Sequence, residues 1–270
     1  MAGQVETFQV SVDAAEAYEA TFVPALFADW ADHLVAAAGI HPGLAVLDVA
    51  CGTGAVTRVA AERLGGSGRI VGLDLNEGML SVARRLYPAI DWVLGDAMDL
   101  PFEDAAFDAV LCQAALMFVP NAGQAIAEMA RVVRPGGTVA VQVWAAREAQ
   151  DGFKPVYEII ARHAGPSAVD LVSAYWVMGD LQALGRLFAS AALEITGTVT
   201  RTGAIRMPSI DAYVTTEVEG TPLRDRISDE TYAAIRREVN EALAASVTPE
   251  GFAMPIVGHI VTAQRSRTAT

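Results

Sequence analysis

Gly52 and Gly54, separated by one residue, follow an apolar run that ends at Val49, and Asp74 closes a second apolar run 22 positions after Gly52. A glycine pair at the end of a buried strand lets the backbone turn sharply and come close to a ligand, because it carries no Cβ. A carboxylate at the end of a neighbouring strand can accept hydrogen bonds from both hydroxyls of a ribose. A tight strand-to-helix turn that holds no ligand uses the same Gly-x-Gly, so the pair alone leaves both readings open. The dinucleotide fingerprint asks for a third glycine where this chain has Thr57, which weakens a pyrophosphate reading. The phosphate-loop pattern GxxxxGKS or GxxxxGKT does not occur. A ribose and an adenine without a pyrophosphate fit what remains.

The elements that must position these residues alternate along the chain. "LAVLDVA" (44–50) is a continuous apolar run, as expected of a strand buried on both faces. "AVTRVAAERL" (55–64) has helical spacing and stops at Gly65 and Gly66, "RIVGLDL" (69–75) is the next strand, and "EGMLSVARRLY" (77–87) is a helix ended by Pro88. "IDWVLGD" (90–96) and "FDAVLCQ" (107–113) read as strands. "AGQAIAEMARVV" (122–133) reads as a helix stopped by Pro135-Gly136-Gly137, before the strand "TVAVQVW" (138–144). Upstream, two short helices over 13–22 and 24–38 are separated at Pro24. Downstream, 151–190 is helical with breaks at Gly165-Pro166 and Gly179-Asp180. A strand over 193–207, helices over 209–219 and 228–245, and a last strand over 254–264 follow.

Such alternation implies an α/β protein with a doubly wound, mostly parallel sheet. No repeat, low-complexity segment or long linker divides the chain, so the expectation is a single domain over 1–270. Within it, 13–38 forms an N-terminal helical lid and 44–144 the ligand-binding core. A helical cap is inserted after the fifth strand at 145–178, and 179–270 completes a seven-stranded sheet.

Composition narrows the partners. Hydrophobic residues make up 53% and charged residues 19%, which fits a packed globular chain. No apolar run reaches the roughly 18 residues of a membrane span, and the N-terminus lacks the basic and apolar regions that argue for export. Cys51 and Cys112 both sit in apolar strand-like stretches, so a reducing, cytoplasmic setting is expected. With a net charge of -13 and Lys154 as its single lysine, the chain lacks the basic surface that nucleic acid requires. No two of His33, His41, His163 and His259 have metal-ligand spacing, and no metal is expected.

Four stretches, "VLDVACGTG" (46–54), "VGLDLNEGML" (71–80), "VLGDAMDLPFEDAAFDAVLC" (93–112) and "MARVVRPGG" (129–137), stand in an order and spacing that resembles class I S-adenosylmethionine-dependent methyltransferases. The likeness is greatest to the small-molecule branch that includes ubiquinone and menaquinone biosynthesis enzymes. It runs over about 15–145; weaker likenesses in "MGDLQALGRLFASAAL" and "MPSIDAYVTTEVEGTPL" point to a bacterial subgroup. The resemblance implies a Rossmann-like sheet and S-adenosyl-L-methionine as cofactor, with S-adenosyl-L-homocysteine as product. It implies that Ala50, Cys51, Gly52 and Gly54 pass their backbone under the methionine moiety, and that Asp74 holds the ribose. Leu75 and Met79 would flank the adenine, Asp96 would bind its amino group, and Ala97 and Met98 would lie against the ring. Gln113 would lie near the methionine moiety, and Tyr18 would close the pocket.

Other residues carry weaker signals. Asp48, inside an apolar strand, needs partners, for which the glycine turn or a cofactor-bound water is expected. Asp99, Glu103 and Asp104 read as solvated loop charges, and Cys51 as a small turn residue rather than a nucleophile. Phe118, Trp144, Phe153, Tyr157, Trp176 and Tyr213 are candidates for an apolar acceptor pocket, with packing of the cap as the alternative. His163, Tyr157 and Tyr175 are the weak candidates for a general base. The expected function is methyl transfer by in-line displacement to oxygen, nitrogen or carbon of a small, fairly apolar molecule. A non-catalytic S-adenosylmethionine-binding relative and a nicotinamide-dependent oxidoreductase are the alternatives. A homodimer is an assembly open to it.

Overall fold

Strand β1 (Ala45–Val49) is buried along almost its whole length, and its neighbours follow from that burial. It pairs in parallel with β2 (Arg69–Asp74), Asp48 lying opposite Gly72, and with β4 (Phe107–Gln113) on its other side. The computed structural model describes residues 10–219, 221 and 223–267; the stretch 1–9 read above for export signals, and Gly220 and Pro222 of the weaker tail motif, lie outside them. The sheet order is β3-β2-β1-β4-β5-β8-β6, with β3 (Asp91–Leu94), β5 (Val133–Trp144), β6 (Leu193–Met207) and β8 (Gly251–Arg265). The pairs from β3 to β5 are parallel. Strand order reverses between β1 and β4, where open α/β sheets hold their ligands at the strands' carboxyl ends.

Among the described residues seven strands lie on this path, as expected, and an eighth, β7 (Val247–Thr248), pairs antiparallel with β8. Two residues are too short a run for any periodicity to reveal. The Pro135-Gly136-Gly137 stop lies inside β5, not before it: register passes from Phe107 opposite Val133 to Ala109 opposite Thr138. Residues 134–137 therefore form an outward irregularity in a strand that starts immediately after its helix.

The helices are α1 (Val12–Phe22), α2 (Ala28–Ala37), α3 (Ala55–Leu64), α4 (Glu77–Leu86) and α5 (Ala122–Val132). They are followed by α6 (Lys154–Ala164), α7 (Pro166–Val172), α8 (Leu181–Ser190), α9 (Ile210–Glu219) and α10 (Asp229–Ala242). Side-chain caps start many of them: Ser11, Asn76, Asn121, Asp180 and Ser228 each accept from an amide of the first turn. Pro24 does not break the chain into separate helices. A π-helical turn, Val23–Phe27, carries α1 into α2, since the wider turn accommodates a ring that would clash with the preceding carbonyl. The stretch 151–190 is broken more finely than expected, with 3-10 turns at Asp151–Phe153 and Ala174–Trp176.

The chain divides into two compact units: Met1–Val143 with Asp180–Thr200 and His259–Thr270, and Trp144–Gly179 with Arg201–Gly258. In the first, Trp30, Leu34, Leu47, Leu73, Leu80, Phe107 and Leu111 are fully buried. In the second, Phe153, Tyr213 and Phe252 are. Among the described residues no helix is long and apolar enough to cross a membrane.

Candidate active site

The turn after β1 is wound from left-handed residues. Ala50, Gly52 and Gly54 have φ of 56°, 57° and 94°, conformations that cost a Cβ-bearing residue roughly 1–2 kcal/mol. The strain at Ala50 is held by backbone bonds: the Cys51 amide donates to the Leu73 carbonyl at 2.9 Å, and the Gly54 amide to the Cys51 carbonyl at 2.9 Å. The Gly52 amide donates to Asp74 Oδ2 at 2.7 Å, and the Asn76 amide to Asp74 Oδ1 at 2.8 Å. The Gly95 amide donates to the Asp74 carbonyl at 3.0 Å. The carboxyl ends of β1, β2 and β3 are thus tied at one aspartate. Burial pushes the Asp74 carboxyl up, while the amides of Asn76, Gly52 and Leu75 pull it back.

Around this knot the first unit gathers most of the expected residues. Leu75, 43% exposed, follows Asp74, and Met79 donates its amide to the Asn76 side chain at 3.2 Å at the start of α4. Asp96 Oδ1 accepts from the Met98 amide at 2.8 Å, closing a short turn around the buried Ala97. Arg131 on α5 holds the continuing loop by donating to the Leu100 and Phe102 carbonyls and to Asp104 and Glu128. Asp104, expected as a solvated loop charge, is an exposed partner of this arginine.

Tyr18 on α1 faces the glycine turn: a Cβ on Gly52 would sit 3.9 Å from its ring. Burial, then the neighbouring Asp74 and Glu19, push its phenol up. Its ring lies 5.4 Å from that of Phe27, whose carbonyl accepts from Gln113 Nε2 at 2.9 Å. Gln113 therefore reaches the same N-terminal helices as Tyr18. Its Oε1 is buried without a partner among the described residues, and so are both side-chain polar atoms of Gln142, which pairs with Gln113 in register on β5.

Of the partners expected for Asp48, the glycine turn is replaced by Thr57, whose hydroxyl donates to Oδ2 at 2.5 Å from within α3. Both residues are buried, and burial raises the Asp48 carboxyl to about 7 against the pull of that hydrogen bond. The position that would need glycine in a dinucleotide site thus serves the strand's buried acid. Cys51 is a poor nucleophile, because burial and then Asp48 and Asp74 push its thiol up.

Three site neighbours are not marked by any motif in the sequence. Glu19 accepts from the Thr53 hydroxyl at 2.5 Å and from Arg58 Nη1 at 2.8 Å, fastening α1 to the turn. Trp92 lies across Gly54 and Gly72, so a Cβ on either would enter its ring. Gln142 is the third; a lone glutamine in "TVAVQVW" is the signal available for it.

The acceptor and base candidates are scattered. Phe118, 47% exposed, sits on the 3-10 turn after β4 in the first unit. The second unit holds Trp144, Phe153, Tyr157, Trp176 and Tyr213, all buried. Trp176 Nε1 donates to the Tyr157 hydroxyl at 2.6 Å. Burial pushes the phenols of Tyr157 and Tyr175 well up, and His163 is engaged by Glu238 Oε1 at 2.8 Å.

Residues 47–141 match the family described as "Methyltransferase domain". The chain is 39% identical over 140 residues to a demethylmenaquinone methyltransferase of Bacillus licheniformis, covering 51% of this chain and 60% of that one. It is 38% identical over 120 residues to a chloroplastic 2-phytyl-1,4-beta-naphthoquinone methyltransferase of Arabidopsis thaliana, covering 42% and 46%. The chain thus spans less than two thirds of these relatives' length. Its fold resembles that of the YcgJ protein from Bacillus subtilis, with a TM-score of 0.62 at 16% identity over 89% of this chain and 100% of that one.

Proposed function

We propose, from the premise that residues 47–141 are a methyltransferase domain of the class I S-adenosylmethionine-dependent family, that this chain transfers the methyl group of S-adenosylmethionine to a small, fairly apolar acceptor. The observation that carries the reading is the junction of the Gly52 turn with Asp74 at the strands' carboxyl ends. A carboxylate offers roughly four acceptor positions, so the backbone amides of Gly52, Asn76 and Leu75 leave capacity for a ribose hydroxyl. The start of α3 has no side-chain cap, and its amides suit the carboxylate of the methionine moiety. The unpartnered Gln113 Oε1 is an acceptor for the ammonium of the same moiety. Leu75 and Met79 would flank the adenine, Asp96 would take its amino group, and Ala97 and Met98 would lie against the ring. Ala50 and Cys51 complete the backbone floor, and Tyr18 covers it. Phe118 meets the acceptor.

When bound, the cofactor supplies a methyl group on a sulfonium, which in-line displacement converts to S-adenosylhomocysteine. The protein's own contribution is orientation and exclusion of water. Fixing two reactants in near-attack geometry lowers a barrier by roughly 7–11 kcal/mol, so a readily ionised acceptor needs no dedicated base. The two buried free cysteines suit a reducing cytoplasm, and a homodimer completes the proposal, to be checked by sedimentation velocity.

The test is methyl transfer itself. Purified chain incubated with S-adenosylmethionine and a panel of phenols, amines and enolisable carbons should release S-adenosylhomocysteine only when a suitable acceptor is present. S-adenosylmethionine alone at a hundredfold excess over Kd should stabilise the protein by about 2.7 kcal/mol. No stabilisation at millimolar concentration would contradict the assignment.

A further inference from the structure

In the second unit a buried acid is left with an unmet oxygen inside a set of aromatic rings. Glu217 on α9 is 8% exposed, and its Oε1 has no hydrogen-bond partner among the described residues. Tyr213 is 1% exposed, and its hydroxyl is equally unmet. The two stand four positions apart on one helix, so they share a face. Around them, Phe153 packs edge-on against Trp176 with centroids 4.9 Å apart, edge-on against Tyr213 at 6.2 Å, and stacked on Tyr157 at 5.8 Å. Tyr175 lies edge-on to Trp176 at 6.1 Å. The charge of Glu217 pushes up the phenols of Tyr157, Tyr175 and Tyr213, so the acid and the three phenols share one neighbourhood.

We propose that Glu217 and Tyr213 form the polar end of an aromatic-walled subsite that takes a planar, hydroxylated ring. Identifying that ring as the methyl acceptor rests on the methyltransferase reading; the subsite does not. A buried polar atom without a partner costs roughly 1–3 kcal/mol, and native interiors keep few of them unless a ligand or water meets the need. Two such atoms on one helix face, among rings contributed by three other segments, match a flat ligand with a hydroxyl at its rim. Burial raises the Glu217 carboxyl to about 8, so near neutral pH it can donate to a ligand oxygen as well as accept from a hydroxyl. That state favours a neutral hydroxylated ring over a cation, which would need the ionised form.

The test is calorimetric titration of the full chain at pH 7 with 1-naphthol, with naphthalene, and with 1-naphthylmethylammonium. The expected result is binding of 1-naphthol at least tenfold tighter than of either comparison compound. Glu217→Leu and Tyr213→Phe should each cut that preference at least fivefold, Glu217→Gln should retain most of it, and all three should keep the wild-type affinity for S-adenosylmethionine. Equal binding of naphthol and naphthalene, preference for the ammonium, or an undiminished preference in both Glu217→Leu and Tyr213→Phe would overturn the subsite. The last of these would leave internal water as the partner. Naphthol binding without any S-adenosylmethionine binding would uphold the subsite and overturn the methyltransferase reading instead.

Discussion

The backbone amide of Gly52 and the side chain of Asp74, 22 positions apart, meet at 2.7 Å. The bond joins the turn that follows one strand to the acid that ends the next. It fixes the aspartate's rotamer before any ligand arrives, so little side-chain entropy remains to be lost on binding.

Gly54 is predicted to be nearly irreplaceable, for two separable reasons. Its φ is 94°, and a Cβ there would collide with the Trp92 ring. Gly54→Ala should destabilise the protein by about 2–4 kcal/mol, combining left-handed strain with overpacking. In a Trp92→Leu background the steric contribution should vanish and the cost should fall to about 1–2 kcal/mol. Urea denaturation of the four variants of the cycle measures both terms.

Asp48 should give stability a distinctive pH dependence. Its folded carboxyl holds its proton to about 7, against an ordinary value of 3.8. Between those values the folded state binds more protons than the unfolded chain, so this group's contribution falls as pH rises and levels off above about 7. Each such proton changes stability by ~1.4 kcal/mol per pH unit. Asp48→Asn should make the decline shallower, while Glu217, raised to about 8, continues to contribute in the same direction. Denaturation midpoints from pH 5 to 8 test this; an unchanged slope in Asp48→Asn would refute it. Thr57→Val, which removes the hydroxyl bonded to Asp48, should cost about 1–3 kcal/mol.

Glu19 should act as a fastener for α1. Its carboxylate takes both the Thr53 hydroxyl and Arg58, with each member of the ion pair about one fifth exposed. Glu19→Ala should cost about 1–2 kcal/mol and speed amide exchange in Val12–Phe22 relative to α5. It should also raise the Kd for S-adenosylmethionine several-fold, because Tyr18 is held against Gly52 by the same helix. Exchange rates equal to those of the wild type would contradict this role.

The core was legible because its signals are local. Continuous apolar runs mark β1 and β4, and glycine and proline punctuate the helices. The seven-strand path follows from that alternation. What could not be read depends on contacts between distant positions. Thr57 meets Asp48 only once α3 has folded back on β1, and Trp92 explains Gly54 only across two strands. Glu19 looks like any surface acid on a helix until the turn is beneath it. Pro24 misled for a different reason: a π-turn absorbs it, and nothing in the local pattern distinguishes that from a break. The roles of the acceptor candidates are the least legible, since burial of Phe153, Tyr157 and Tyr213 follows equally from packing and from a lined pocket.

Isothermal titration of S-adenosylmethionine into the wild-type chain and into Asp74→Asn measures the grip on the ribose directly. Replacing one carboxylate oxygen by an amide nitrogen removes acceptor capacity and charge while keeping size, and should weaken binding at least tenfold, about 1.4 kcal/mol. Saturable binding by the wild type with that loss is the predicted result. Equal affinity in the two proteins, or no binding by either, would contradict it.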